Sequence, residues 1–243
     1  MKFDVVIIGG GLSGLTCGIK LAENGKKVCI VSFGQSSLHF NPGSFELLGY
    51  DANGSVVKNP LEAVSALAPC HPYAKVADVA AAAAEAKRLL ADAGIAMKGD
   101  AAANHFRLTP MGALKPAWLT IDEMLTADAD GKLPAENIKV VNIVGYLDYP
   151  TKFVVAGLRK LGAKVEVKAV TTPSLDKARR SASEMRSANL AKVLNDDAEL
   201  QQLAQEVNKV ASEGETVLLP AVLGFADAEA VSKLAELVNA KVQ

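Results

Sequence analysis

Apolar positions recur along this chain in two rhythms, and their alternation predicts an α/β protein. Residues 3–8 form a β-branched apolar run of the kind that a parallel sheet buries on both faces. Glycines interrupt it, and Leu12, Leu15 and Ile19 then recur at helical spacing as far as Gly25, a residue suited to end a helix. Residues 27–31 read as a second strand. The N-terminus is therefore predicted to be one βαβ unit.

From Gly34 to Pro72 the chain is rich in Gly, Ser, Asn and Pro, which predicts loops with short helices. An alanine-rich helix is expected over 77–93, closed by Gly94. Short strands are expected around 95–98, 105–109 and 117–121, with turns at Pro110, Gly112 and Pro116. Residues 127–134 are polar and turn-rich, and beyond them the alternation restarts. Strands are expected at 138–144, 164–170 and 216–219, and helices at 151–161, 176–194, 198–212 and 228–238. The expected organisation is an N-terminal part of a flavin or dinucleotide-binding domain over 1–126 and a second α/β domain over 135–243. The fold class is α/β: a Rossmann-like FAD/NAD(P)-binding βαβ start, a second α/β region and an incomplete nucleotide-binding domain.

Composition narrows the functional classes. The 243 residues carry 26 basic and 27 acidic side chains, a net charge of −1, without the basic surplus that a general nucleic-acid or anionic-membrane binder needs. Aromatics at 5% disfavour a base-stacking platform. Cys17, Cys29 and Cys70 form no C-x-x-C pair and read as a reduced, cytoplasmic set. The longest apolar stretch, 5–19, holds five glycines and is too short to span a bilayer, so neither a membrane span nor an export signal is expected.

The strongest chemical motif is Gly9-Gly10-Gly11-Leu12-Ser13-Gly14, a G-x-G-x-x-G between strand and helix. Gly9 permits the tight turn, Gly11 lets a pyrophosphate approach the backbone, and Gly14 lets helix and strand pack closely. The helix start at Leu12 and Ser13 offers amide donors and a positive dipole end. The second strand ends at Ser32, where a dinucleotide site usually has a carboxylate for the adenosine ribose. That substitution favours FMN, which has no adenosine, over FAD or NAD. The following loop, with Gln35, Ser36, Ser37, Gly43 and Ser44, is suited to let amides approach a phosphate or an isoalloxazine ring, or is an ordinary surface loop. His39 within it is the candidate proton carrier, because histidine is the side chain that titrates nearest neutral pH. His71 and His105 read as structural, and Arg179, Arg180 and Arg186 as a solvated helix face. There is no H-E-x-x-H, G-x-S-x-G or Walker pattern, which removes the commonest hydrolase and nucleotide-phosphatase readings.

These residues carry a family resemblance. The run from Phe3 to Leu15, the string Gly34-Gln35-Ser36-Ser37-Leu38-His39-Phe40 and the pair Gly43-Ser44 resemble the B-subunit of anaerobic glycerol-3-phosphate dehydrogenase. So do His71-Pro72-Tyr73, Thr109-Pro110-Met111-Gly112-Ala113-Leu114, Trp118-Leu119, Glu184-Met185-Arg186, Asn189-Leu190-Ala191 and Pro220-Ala221 with Gly224. The resemblance implies a flavin subunit, commonly assigned FMN, that works with two others. These are the A-subunit, a larger flavin protein, and the C-subunit, an iron–sulfur protein that anchors the complex to the membrane. It implies oxidation of sn-glycerol 3-phosphate to dihydroxyacetone phosphate, with electrons passed toward menaquinone. The expected place is the cytoplasm, peripherally at the inner face of the cell membrane through a partner subunit. Family members continue past the segment matching Pro220 to Gly224, so the chain is expected to be an N-terminal part, inactive alone. Two alternatives stay open: a colourless scaffold that docks the catalytic subunit, and, less favoured because Ser32 replaces the carboxylate, a free-standing NAD(P)-dependent oxidoreductase.

Overall fold

A computed structural model describes residues 1–34, 36–179, 181, 184–224 and 229–243. Backbone contacts divide the chain into two units, 1–44 and 45–243.

The first unit is the βαβ element. Strand β1 (Val5–Ile8) pairs in parallel with β2 (Val28–Val31), Val5 opposite Val28 and Ile8 opposite Val31. Helix α1 (Leu12–Glu23) connects them. Asp4 fixes the entry, its carboxylate accepting from the Lys27 amide at 2.8 Å. The helix ends as its sequence requires: Gly25 takes φ +72°, and the amides of Gly25 and Lys26 donate back to Ala22 and Leu21. Gly18 brings α1 close to β2, since a Cβ there would lie 2.8 Å from Ile30 Cδ1.

The second unit opens on β3 (Ser44–Phe45), at the division between the two, and continues through helices α2 (Pro60–Val64) and α3 (Val79–Asp92). Five short strands follow: β4 (Met97–Lys98), β5 (His105–Leu108), β6 (Leu114–Ala117), β7 (Leu119–Ile121) and β8 (Thr126–Ala127). They form two three-stranded sheets, ordered β3-β7-β4 and β6-β5-β8. The strand expected over 117–121 is interrupted at Trp118, whose amide donates to the Phe45 carbonyl at 3.1 Å, so β6 and β7 belong to different sheets. Trp118 and Leu119 are buried with Ala83 of α3, and Leu61, Ala86 and Leu90 pack against them.

The remainder is a parallel four-stranded sheet, order β10-β9-β11-β12, from β9 (Asn137–Ile143), β10 (Lys164–Val170), β11 (Thr216–Leu218) and β12 (Lys241–Val242). Helix α4 (Thr151–Lys160) links β9 to β10. Helices α5 (Pro173–Ala178), α6 (Ser187–Val193) and α7 (Asp197–Asn208) lead to β11, and α8 (Ala230–Leu237) leads to β12. Both faces of β9 are covered. Ile138 and Val140 pack with Val154, Val155 and Leu158 of α4, while Val141 and Ile143 pack with Leu175, Leu190, Leu203 and Leu234 of the other helices. Two-sided burial is why the adjacent residues Val140 and Val141, which point to opposite faces, are both apolar. Strand β10 is the sheet edge, and Lys164, Glu166 and Lys168 keep it polar.

The helix expected over 176–194, and the arginine face that depended on it, are corrected here. The helix over 176–194 is not continuous, because α5 stops at Ala178, Arg179 turns to extended backbone (φ −82°, ψ +117°), and Met185 bridges to Tyr146. The three arginines therefore share no helix face: Arg179 ends α5, Arg186 precedes α6, and Arg180 lies outside the described residues. The polar segment 127–134 lies inside the second unit, linking β8 to β9. Among the described residues, no helix is long and apolar enough to cross a membrane.

Candidate functional site

The glycine turn stands at the carboxyl end of β1. Gly9 adopts φ +114°, a conformation that L side chains rarely take, and its amide donates to Val31 O at 2.8 Å. A Cβ at Gly14 would lie 2.0 Å from the Gly9 carbonyl oxygen, so only glycine lets α1 start this close to the strand. At Gly11 the reason differs. Its backbone is ordinary (φ −79°) and a Cβ would meet nothing within 4 Å. The space in front of Gly11 is open to a ligand, and a side chain there would fill it.

Helix α1 begins without a side-chain cap, and its first turn has no acidic residue. The first helical bond runs from the Leu15 amide to Gly11 O at 2.9 Å, which leaves the amides of Leu12, Ser13 and Gly14 ahead of the ladder. Those donors and the positive end of a 12-residue helix suit a pyrophosphate. The geometry therefore brings Gly9, Gly11, Leu12, Ser13 and Gly14 to one place.

Ser32 joins them. A Cβ on Gly10 would lie 2.6 Å from Ser32 Oγ, so the hydroxyl stands against the turn, at the position where a ribose is held. This explains the third glycine, Gly10, which the bare motif does not require. The unbroken Gly9-Gly10-Gly11 run was the signal for it.

The loop after β2 is organised by its own polar groups. Ser36 Oγ accepts from the Leu38 amide at 3.3 Å and caps a short 3-10 turn, Ser37–Phe40. Ser37 lies exposed in that turn. His39 is exposed and stands edge-on to Phe40, with ring centroids 5.0 Å apart. Gly43, at φ +74°, donates to Asn41 Oδ1 at 2.8 Å. The Ser44 hydroxyl is buried and has no hydrogen-bond partner among the described residues. Gln35 lies outside the described residues. Elsewhere, His71 Nδ1 accepts from the Tyr73 amide at 3.2 Å and caps a second 3-10 turn, Pro72–Lys75.

Comparison with known proteins follows the same lines. The family model described as FAD binding domain matches residues 4–243. The B-subunit of anaerobic glycerol-3-phosphate dehydrogenase from Yersinia enterocolitica is 42% identical over the whole chain, which covers 59% of that protein. The protein of the same name from Pectobacterium carotovorum is 38% identical over 98% of the chain and 58% of its own length. That of Actinobacillus succinogenes is 38% identical over 92% of the chain and 54% of its own length. The chain thus spans less than three fifths of the curated relatives it matches. No solved structure matches it.

The family match corrects the expected cofactor. It points to FAD, whereas the missing ribose carboxylate had favoured FMN. The geometry gives the physical reason: three successive glycines and a bare helix start form a cradle for a pyrophosphate, which FAD has and FMN lacks. One hydroxyl in place of a carboxylate weakens the ribose contact without removing the pyrophosphate site.

Proposed function

Since the chain belongs to the FAD binding domain family and is homologous along its length to the B-subunit of anaerobic glycerol-3-phosphate dehydrogenase, we propose that it is the FAD-holding subunit of such an enzyme. The observation that carries this reading is the cradle at Gly9–Gly14, open at Gly11 and lined by the amides of Leu12, Ser13 and Gly14. Bound there, FAD supplies a two-electron acceptor. The protein's part is to hold and orient. The three amides neutralise pyrophosphate charge, and Ser32 Oγ offers a hydrogen bond to the ribose. We assign the loop residues Ser36, Ser37, Gly43 and Ser44 to contacts with the flavin; Gln35, grouped with them from the sequence, lies outside the described residues.

The reaction is oxidation of the secondary alcohol of sn-glycerol 3-phosphate to dihydroxyacetone phosphate. It breaks two bonds: the O–H, whose proton goes to a base, and the carbinol C–H, whose hydrogen leaves with the electron pair as the hydride that a bound FAD would accept. His39 takes the hydroxyl proton on its imidazole, and solvent then receives it from this exposed ring. The electrons pass toward menaquinone by way of the iron–sulfur C-subunit, in a complex with the larger flavin protein, the A-subunit. The chain meets the membrane face through the iron–sulfur partner. The alternative reading is a scaffold that docks the catalytic subunit without holding flavin.

The test is anaerobic mixing of the assembled complex with glycerol 3-phosphate while the flavin absorbance of this subunit is followed. Bleaching by glycerol 3-phosphate, and none by glycerol, is expected. A colourless subunit that still assembles would establish the scaffold instead. His39→Ala is expected to lower kcat by 10²- to 10⁴-fold, the usual range for one acid–base group. Near-normal turnover would dismiss the histidine.

A further inference from the structure

A cleft of about 610 Å³ in the second unit is lined by two lysines and a histidine against one carboxylate, and its lining shares no residue with the glycine turn. Its volume is within the usual range for small-molecule sites. Lys98, Gly99, His105, Thr126, Asp128 and Lys132 contribute to its wall. The Lys98 Nζ donates to the Asp122 carbonyl at 2.7 Å and to the Met124 carbonyl, which fixes the ammonium and leaves a third N–H. His105 Nε2 bonds Thr120 Oγ1 at 2.7 Å, fixing the ring and leaving Nδ1. Gly99, at φ +119°, keeps the wall thin, since a Cβ there would lie 2.9 Å from His105 Cε1 and 2.0 Å from Trp118 O.

Asp128 is the one carboxylate in the wall, and it offsets part of the Lys132 charge, which, after the backbone hydrogen bonds from Lys132 and Asp130, helps hold the Asp128 carboxyl below the usual range. Asp128 Oδ1 already accepts from the amides of Asp130 and Lys132, both at 2.9 Å, and shapes the loop. Lys132 makes no ion pair among the described residues. Burial holds Lys98 below the usual lysine range, with Lys241 adding to the lowering and Asp122 and Glu123 opposing it. Burial, and then Lys98, holds His105 below the usual histidine range. Two basic side chains part-buried beside each other are a feature of ligand sites as well as of strained cores.

We infer that this cleft is a binding site for a small oxyanion, a phosphate or carboxylate group held between Lys98 and Lys132 with His105 beside it. An anion placed there replaces the water that burial removed and offsets the repulsion between Lys98 and His105. Binding should therefore raise the His105 pKa, and protonation of His105 should tighten binding.

The chain has three histidines, so each imidazole can be followed by NMR while inorganic phosphate or acetate is titrated at fixed ionic strength. The inference expects a saturable upward shift of the His105 titration with at least one of the two anions, and none at His39 or His71. The two probes separate a phosphate site from a carboxylate site. Lys132→Ala, a change at an exposed loop position, is expected to weaken binding about tenfold, the effect of one charge-assisted hydrogen bond, and Lys132→Arg to restore it. No response to either anion, an equal shift at all three histidines, or unchanged affinity in Lys132→Ala would overturn the site.

Discussion

Lys139 shows how a single charge is kept inside a parallel sheet. It is 7% exposed on β9, yet its ammonium reaches Glu166 on the neighbouring strand at 3.0 Å and Glu215 before β11 at 3.2 Å. The hydrogen bond from Lys139 lowers the Glu166 pKa below 4.5, and the same bond raises that of Lys139 above 10.5. The Glu166 contribution is therefore complete above pH 4.5 and is lost as pH falls through its depressed folded value. That of Lys139 is complete below pH 10.5 and lost as pH rises through its raised value. The thermal midpoint of Glu166→Gln is expected to fall below that of the parent at neutral pH. The two should converge below pH 4.5, as followed by circular dichroism across a pH series; a constant gap would show that the charge is not responsible. At this scale the glycines were readable, because each has a stereochemical role that no other residue fills. The pairing of Lys139 was not, since Glu166 and Glu215 come together with it only when the strands align.

Among the elements, the β5–β6 turn and α4 approach each other closely at two glycines. Gly112 turns the hairpin at φ +75°, and a Cβ there would lie 2.1 Å from Phe153 O. On the helix side, a Cβ at Gly157 would lie 1.8 Å from Gly112 O. A glycine inside a helix ordinarily costs about 1 kcal/mol relative to alanine. Here the substitution reverses that sign: Gly157→Ala is expected to destabilise by about 1–3 kcal/mol through overpacking, measured by urea unfolding. A stabilised variant would mean that the turn and the helix are not in contact. The pattern predicted the hairpin turn and α4 separately, because each has a local signature. Their junction has none. The break between α5 and α6 was hidden for a related reason: the intervening residues have helical propensity, and a tertiary bridge, Met185 to Tyr146, overrides it.

At the scale of the whole molecule, the two units differ in how much apolar surface they bury. In the second, Val140, Val141 and Val217 of the parallel sheet and Leu158 of α4 are fully enclosed. In the first, Val6, Ile8 and Val31 on the two strands are more than half exposed. A two-stranded sheet with one helix is marginal in water. Amide hydrogen exchange is therefore expected to be slowest in β9–β11 and much faster in β1, α1 and β2, with bound FAD slowing exchange at Leu12, Ser13 and Gly14. Equal protection in both units would contradict this ordering. The α/β class and the nucleotide turn were readable from the sequence because strand, glycines and helix are consecutive. The cofactor was not, because Ser32 argues against an adenosine ribose at one residue, whereas the pyrophosphate cradle is formed by five.

The measurement that bears most directly on the proposed function is a visible-absorbance titration of the chain with FAD, run beside Gly11→Val. The open space at Gly11 and its ordinary backbone predict that the variant folds, by circular dichroism, like the parent. The chain is expected to take up FAD, with the perturbed flavin spectrum of a bound ring, in preference to FMN. Gly11→Val is expected to lose that uptake while keeping its fold. Failure of the parent to bind FAD, or uptake unchanged in Gly11→Val, would contradict a flavin pyrophosphate held at the glycine turn.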